Sequence, residues 1–518
     1  MTFRHSLSKV LSWAALACSV GLAGPPAGAA DLTPAQAQQF AQGTLRDYWA
    51  LLSLSNDSIV PADIVRNVEW LALAFEKRGF TTQPLPNGGK PMLFAELPGA
   101  DPKLQTVLFY MHLDGQPVIP SQWAQKSPWL PVLKRRSAST GEWEEIDAEP
   151  LFSGPIDPEW RVFGRSAADD KAPIMMFLAA VDAMRASGAA AGVNIKVLLD
   201  SEEEKGSPSI GAVLRAHPAL LRADAIVIHD GPMHPTQRAT LVFGNRGNAV
   251  AQLTVYGAKV ALHSGHYGNY APNPAQRLAS LLASMKDDRG RVTVAGYYDR
   301  VRLGARERQI MAAVPDDPAA LRRRLGIAQA EGVGRNYQEA MQYPSLNVRG
   351  LAAGAVGDKV ANIVPSQAVA ELDLRTTPRS DGKYLGQLIE KHIRQRGYHL
   401  VTGQPTDADR ARFDKLASFH FQVDGTEAAG SPIESPVGRW AYAAMREVFG
   451  AEPEPVRIRM MGGTVPTAEI VEVLRVPFVI VPLVNADNNQ HASNENMRMG
   501  NYLQGVRAIH GLLTRELR

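Results

Sequence analysis

The chain has very little cysteine: Cys18 is the only one among 518 residues. A disulfide framework and a zinc site built on thiolates are therefore both excluded. Excess charge of one sign is also missing, since the formal net charge is +3 at pH 7. The basic clusters at 134–136 and 322–324 have no interleaved aromatic residues, and no nucleic-acid motif or internal repeat is visible. We therefore expect no DNA or RNA partner.

Long apolar runs are rare, and the most apolar stretch lies near the start of the chain. Basic residues precede the apolar segment 10–22, and small residues follow at 27–30. This order is typical of a cleavable secretory signal, and the apolar part is too short for a convincing transmembrane helix. We expect residues 1–30 to be a signal peptide and the mature protein to be secreted or periplasmic, with no stable membrane span. Lipoprotein anchoring through Cys18 is an alternative, although the residues before it fit that pattern poorly.

The rest of the composition is that of a globular protein large enough for two domains, with 45% hydrophobic residues. Buried-type strands alternate with helical segments at 31–245, which indicates an α/β fold. The sequence pattern changes near residue 246, and the alternation of buried-type strands and helices returns late in the chain. We predict a catalytic α/β domain in two parts, 31–245 and 426–518, with an inserted α+β domain at 246–425. Residues 115–160, rich in Pro, Trp and charge, are predicted to form a loop excursion.

The most informative stretch is acidic. The apolar run 195–199 leads through two polar residues into three consecutive glutamates at 202–204. Ligands gather at the carboxyl ends of such strands. Three carboxylates there repel one another and resist burial unless a positive charge compensates them, and a divalent metal is the obvious choice. A glutamate triplet on its own is otherwise a solvated acidic loop.

Other strand ends strengthen the metal interpretation. Four successive strands end in residues with imidazole or carboxylate groups: His112, Asp169, the pair Glu203 and Glu204, and Asp230. Asp114 lies two residues after His112, so it can face the same way and orient the imidazole, although a structural hydrogen bond or a helix cap explains each motif taken alone. Imidazole and carboxylate without thiolate suit zinc, manganese or cobalt at an open catalytic site.

Together these residues resemble the di-zinc metallopeptidase and amidohydrolase family that includes carnosinase, glutamate carboxypeptidase and acetylornithine deacetylase. The likeness extends over roughly 31–517. The segments 343–348, 362–365 and 373–375 look most like the dipeptidase (carnosinase-like) branch. The resemblance implies a mixed central sheet with helices on both faces, and an inserted domain that serves as lid and dimerisation domain.

The resemblance also implies two divalent metal ions per chain, with Zn²⁺ expected and Mn²⁺ or Co²⁺ possible. Asp169 would bridge the two ions. The remaining ligands would be His112 and Asp230 on one ion, and Glu204 and His491 on the other. Two cations sharing a water lower its pKa and polarise the scissile carbonyl, while Glu203 acts as general base and Asp114 orients His112.

The same resemblance implies roles for residues far from these ligands. Arg375, Asn362 and Thr464 would line the substrate site, and His263 would reach the site of a neighbouring subunit to stabilise the oxyanion. The expected assembly is a homodimer formed through the inserted domain. From the residues alone, His263 is equally compatible with an ordinary loop position, and Arg375 with a structural partner of Asp373.

Two positions depart from the family pattern close to Asp169. Ser166 and Ala172 stand where the family usually has glycine. We expect these substitutions to affect the geometry of the loop mildly and metal binding little. The resemblance also implies a cis peptide bond between Asp169 and Asp170.

Three functions follow from these residues. The first is hydrolysis of the peptide bond in dipeptides or at the C-terminus of short peptides. The second is deacylation of N-acyl amino acids by the same di-metal site. The third, a non-catalytic binding member of the fold, is disfavoured because such a protein has no use for the general base Glu203.

Overall fold

A computed structural model describes residues 31–99, 101–423, 427–463 and 465–518. The predicted signal peptide at 1–30, including Cys18, lies outside the described residues, and so does the predicted substrate residue Thr464. Within the described ranges, no helix combines the length and the apolar character that a membrane crossing requires.

The strands are short and are spread along the whole described chain. They are β1 Thr81–Leu85, β2 Met92–Glu96, β3 Thr106–His112, β4 Val132–Arg136, β5 Trp143–Ile146, β6 Arg161–Phe163, β7 Asn194–Asp200, β8 Ala225–Ile228, β9 Thr240–Val242, β10 Gly244–Asn245, β11 Gly247–Tyr256, β12 Leu262–His263, β13 Ser345–Ala352, β14 Ile363–Val364, β15 Gln367–Thr376, β16 His399–Leu400, β17 Leu416–Val423, β18 Ala429–Gly430, β19 Val456–Ile458, β20 Phe478–Ile480 and β21 Asn496–Arg498.

The helices range from single turns to five turns. They are α1 Pro34–Leu52, α2 Pro61–Glu76, α3 Glu149–Ser153, α4 Lys171–Ala186, α5 Ile210–Ala216, α6 Ser264–Tyr267, α7 Pro274–Ala283, α8 Ala305–Ala312, α9 Pro318–Leu325, α10 Tyr337–Ala340, α11 Gly382–Gln395, α12 Asp407–Arg412, α13 Pro436–Phe449, α14 Thr467–Leu474 and α15 Met499–Thr514.

The largest sheet has eight strands in the order β1-β2-β7-β3-β8-β20-β9-β19. Strands β7, β3, β8 and β20 run parallel, whereas β1, β2 and β9 introduce antiparallel pairs, so the sheet is mixed. Alternate residues of β3 enter different cores. Val107 and Phe109 pack with α1, α4, α13 and α15, while Leu108 and Tyr110 pack with α5 and α14. Helices therefore cover both faces, and the predicted α/β class is confirmed.

A second sheet has five strands in the order β13-β15-β11-β17-β16. All its pairs are antiparallel except the short pairing of β16 with β17. Strand β11 buries Ala249, Ala251, Leu253 and Val255 at alternate positions, against a core that also contains residues of α7 and α11. This is the predicted α+β architecture, in a separate sheet whose strands lie between Gly247 and Val423. The predicted domain boundaries themselves stay predictions.

The loop excursion predicted at 115–160 is wrong. This segment contains β4, β5 and α3, and its strands belong to a four-stranded antiparallel sheet in the order β21-β6-β4-β5. The charged residues that suggested a loop are paired across the strands, as in the 2.6 Å ion pair between Arg135 and Glu144. Trp143 packs edge-on against Phe163 with ring centroids 5.3 Å apart. Cross-strand pairing of this kind stabilises strands whose own sequence is polar.

Candidate metal centre

The parallel part of the central sheet brings several predicted residues to one edge. Strands β7, β3 and β8 are neighbours and run in the same direction, so their carboxyl ends meet. His112 ends β3, and Asp230 follows β8 by two residues. After β7, a short 3₁₀ turn at Glu203–Lys205 carries the two predicted glutamates. Local strand formation therefore places acid and imidazole groups at the edge where α/β sheets bind ligands.

The side chains form two adjacent groups that could each hold a metal ion. In the first, ligand atoms of His112, Glu203 and Asp230 lie within 4.8 Å of one another. In the second, ligand atoms of Asp169, Glu204 and His491 do the same.

The carboxylate of Asp169 lies between the two groups. One oxygen, Oδ1, is 2.9 Å from Nε2 of His112, and the other, Oδ2, is 3.0 Å from Nε2 of His491. His491 Nε2 is also 3.2 Å from a carboxylate oxygen of Glu204. The two carboxylate oxygens of Asp169 thus face different halves of the site, Oδ1 towards His112 and Oδ2 towards His491.

Asp114 supports both the imidazole and the glutamates. Nδ1 of His112 is 3.1 Å from the backbone carbonyl of Asp114 and 3.4 Å from its carboxylate. The same carboxylate accepts hydrogen bonds from the backbone N–H groups of Glu203 at 3.0 Å and Glu204 at 3.3 Å. The buried Asp114 therefore joins the end of β3 to the turn after β7.

The loop before α4 shows the expected geometry despite its departures from the family pattern. The peptide bond between Asp169 and Asp170 is cis. Ser166 takes the left-handed conformation with φ of 59°, which glycine adopts most easily. Its hydroxyl accepts a hydrogen bond from the side-chain amide of Asn56 at 3.0 Å. Ala172 is fully buried in the first turn of α4.

Glu495 is a residue of the site that sequence reasoning did not assign. It is completely buried, and it accepts four hydrogen bonds. Three come from backbone N–H groups of the loop that carries Asp169, those of Ser166, Ala168 and Asp169, at 2.8 to 2.9 Å, and the fourth comes from Arg165 at 2.8 Å. Its position four residues after His491 was the only signal in the sequence.

The four-stranded sheet explains how His491 reaches Asp169. Strand β21 begins five residues after His491 and pairs with β6, which ends six residues before Asp169. Beside this pairing, the Gly164 N–H donates to the carbonyl of Glu495 at 3.1 Å. The segment before α4 is thereby held against the segment that follows His491.

The electrostatics of the site show an excess of negative charge. Burial, then repulsion from Asp169, raises the pKa of Asp230 to about 6 and that of Glu204 to about 8. Burial and the charge of Asp230 also raise the pKa of Glu203 well above its usual value. The hydrogen bond to Asp169 raises the pKa of His491 to about 9. The carboxylates thus need more positive charge than the two histidines supply, and the oxygen and imidazole donors suit two divalent cations.

Of the predicted residues that the structure describes, His263, Asn362 and Arg375 form no hydrogen bond or ion pair with these two groups. His263 caps α6, where its Nδ1 accepts from the Gly265 N–H at 3.0 Å. The carbonyl of Asn362 accepts from the Ser264 N–H at 3.0 Å. Nε of Arg375 is 3.8 Å from Asp373, the structural partner that the sequence also allowed.

Comparison with known proteins agrees with this geometry. Residues 108–515 match the model of Peptidase family M20/M25/M40. The Cys-Gly metallodipeptidase dug1 of Schizosaccharomyces pombe is 24% identical over 474 residues, which cover 88% of this chain and 91% of the yeast protein. The Beta-Ala-His dipeptidase of Mus musculus is 27% identical over 492 residues, which cover 89% of this chain and 90% of the mouse protein.

A solved structure extends the agreement to three dimensions. The crystal structure of the M20 family metallo-carboxypeptidase Sso-CP2 from Sulfolobus solfataricus has a TM-score of 0.67 at 25% identity, covering 91% of this chain and 98% of that chain. The fold and the paired ligand groups are thus those of a metallopeptidase. The chain belongs to peptidase family M20/M25/M40, and the predicted resemblance, including the likeness to its dipeptidases, is confirmed.

Glu495 provides a test of how the centre is held together. Both carboxylate oxygens of Glu495 accept hydrogen bonds, and in Glu495→Gln an NH₂ group that cannot accept replaces one of them. The loop carrying Asp169 therefore loses hydrogen bonds that hold it. We expect metal affinity to fall by about 10- to 100-fold, as is typical when a group supporting the ligands is lost. Competition with a chelator measures this change. Glu159→Gln, which alters a largely exposed partner of Arg498, is the control. Unchanged metal affinity in Glu495→Gln contradicts the supporting role.

Proposed function

We propose that the chain is a dinuclear metallodipeptidase, which hydrolyses the peptide bond of dipeptides and removes the C-terminal residue of short peptides. The observation that carries this proposal is the placement of Asp169, with one carboxylate oxygen towards His112 and the other towards His491. The two dipeptidases that this chain resembles over most of their length support the choice of substrate.

The proposed ligands are divided between two ions. Asp169 is shared, His112 and Asp230 complete one set, and Glu204 and His491 complete the other. Zn²⁺ is the proposed metal because imidazole and carboxylate donors at an open site suit it, with Mn²⁺ and Co²⁺ as alternatives. When bound, such a pair of ions lowers the pKa of the attacking water and polarises the scissile carbonyl.

Glu203 is the proposed general base. Its backbone is held by Asp114, its carboxylate lies beside His112 and Asp230, and it is adjacent in sequence to the proposed ligand Glu204. From this position it takes the proton of the attacking water and passes it to the leaving amine. The Glu203 carboxylate lies close enough to His112 and Asp230 to bind the same metal ion. A substitution experiment must therefore distinguish a general base from a metal ligand at this position.

Substrate binding is proposed to involve the inserted domain. Arg375, at the end of β15, offers a guanidinium to the substrate carboxylate, since arginine pairs well with planar anions. Asn362 and Thr464 are proposed to line the same site. His263 is proposed to supply a donor for the oxyanion that forms at the scissile carbonyl.

We further propose that His263 acts in a homodimer. His263 is exposed, and large apolar side chains that are also exposed accompany it in the inserted domain: Tyr270 is 88%, Val356 is 87% and Val360 is 70% accessible. Strand β13 also lies at the edge of its sheet, where a two-fold related copy can pack.

Export from the cytoplasm is a separate proposal. It rests on the basic, apolar and small-residue segments at 1–30.

A substrate panel tests the proposed activity. Protein loaded with zinc or with manganese is offered dipeptides, including Cys-Gly and β-Ala-His, together with tripeptides and N-acetyl amino acids. We expect dipeptides to be cleaved fastest, with activity lost in chelator and restored by metal. Hydrolysis restricted to N-acetyl amino acids would make the chain a deacylase, and full activity in a metal-free protein would refute the metallopeptidase assignment.

Substitution of the two neighbouring glutamates tests their separate roles. Glu203→Gln should retain close to two metal ions per chain by elemental analysis, while turnover falls by about 10²- to 10⁴-fold, the usual size of a general acid–base contribution. Glu204→Gln should instead lose metal. Normal turnover in Glu203→Gln, or normal metal content in Glu204→Gln, shows that the two roles are misassigned.

Mixed dimers test whether His263 serves the other subunit. His263→Ala and Glu203→Ala chains should each be inactive as homodimers. A hybrid of the two has one site with both groups intact, so activity should recover to a fraction of that of the wild type when the chains are mixed. Differently tagged chains establish that hybrids form. Hybrids without activity would place His263 in its own subunit's site, and an active His263→Ala homodimer would place it outside catalysis.

A further inference from the structure

A strongly basic cleft lies outside the metal centre. It consists of two cavities of about 550 and 360 Å³ that share Arg306, Ile310, Ile433 and Glu434 in their walls. Together they are lined by eight arginines and three glutamates, and by none of the proposed metal ligands. We infer that this cleft is a binding site for a small anion carrying two or more negative charges, such as a polyphosphate or a sulfated compound.

The first cavity is lined by residues of two helices, α8 and α13, and both contribute arginines. On α13, Arg439, Tyr442 and Arg446 recur at spacings of three and four residues, so they share one face of the helix. Arg306 on α8 and Arg457 on β19 also line the cavity. The Arg457 guanidinium lies 4.2 Å from the centre of the Tyr442 ring, and that of Arg446 lies 5.8 Å from it. Two of the cationic groups thus lie over one aromatic side chain.

The acidic residues of the cleft do not balance these arginines. A single carboxylate oxygen of Glu434 is shared by Arg306 at 3.4 Å and Arg457 at 3.8 Å. Across the residues that the structure describes, no carboxylate lies within 4.0 Å of the guanidinium groups of four of the eight: Arg302, Arg379, Arg439 and Arg446. Guanidinium groups that converge without a carboxylate partner attract planar and tetrahedral anions.

The position of the cleft gives such binding a structural consequence. The arginines at 300–306 and 379 belong to the segment between β11 and β17, whereas those at 439–459 follow the five-stranded sheet and belong to the C-terminal part. An anion bound by arginines of both groups would link two parts of the chain. One is the segment that contains the five-stranded sheet, and the other is the C-terminal part that supplies β19 and β20 to the eight-stranded sheet. The volume is that of a small-molecule site.

Calorimetry on the metal-loaded enzyme at low ionic strength tests the inference, with sulfate and tripolyphosphate as probes. We expect tripolyphosphate to bind at one site per chain, more tightly than sulfate. The double variant Arg439→Gln and Arg446→Gln removes two exposed guanidiniums and should weaken both affinities at least tenfold. Its thermal unfolding midpoint and metal content should match those of the wild type, which shows that it folds and keeps this test independent of the proposed peptidase function.

A charge-matched control separates a defined site from general attraction. Arg46 and Arg135 are exposed and lie elsewhere on the chain, so Arg46→Gln and Arg135→Gln together remove the same charge. This control should bind both probes as the wild type does. Metal analysis after each titration excludes removal of metal by tripolyphosphate, and sulfate avoids that effect. Absence of binding to the wild type, or equal loss in both double variants, overturns the inferred site.

Discussion

The structure depends on how much negative charge the chain concentrates at one edge of its central sheet. Asp169, Glu203, Glu204 and Asp230 converge there with only two histidines, and burial with mutual repulsion raises the pKa of three of these acids. Proteins tolerate such a cluster when cations occupy it. The parallel strands place these residues at the same edge of the sheet. The surrounding loops hold the carboxylates in position against their mutual repulsion.

That orientation comes from buried acids that do not themselves bind metal in the proposed mechanism. Asp114 accepts from the backbone beside Glu203 and Glu204, and Glu495 accepts from three N–H groups around Asp169. Each of these carboxylates fixes a main-chain segment, so the side chains that project from it have few alternatives. When the metal-binding side chains are already held in position, less conformational entropy is lost as the metal ions bind.

The parts of the fold that could be predicted are those encoded locally. Apolar runs ending in an acid or imidazole identified β3, β7 and β8, and the helical periodicity of Ile64, Val68, Leu71 and Phe75 identified α2. The pairing of β6 with β21 joins residues more than 300 positions apart, and no local pattern encodes it. The role of Glu495 depends on that pairing, and β4 and β5 were missed because their strand residues are charged and are stabilised by partners on the neighbouring strand.

The contact between Asp169 and His491 spans 322 residues, with the whole second sheet between them. Because chains fold from the N-terminus as they are made, the first group of ligands is complete long before the second. His491 and β21 follow the second sheet along the chain, whereas His112, Glu203 and Asp230 all precede it. A nascent chain therefore carries the acids of the candidate centre before the histidine that completes their pairing. The two halves of the site can come together only after the inserted segment has been made.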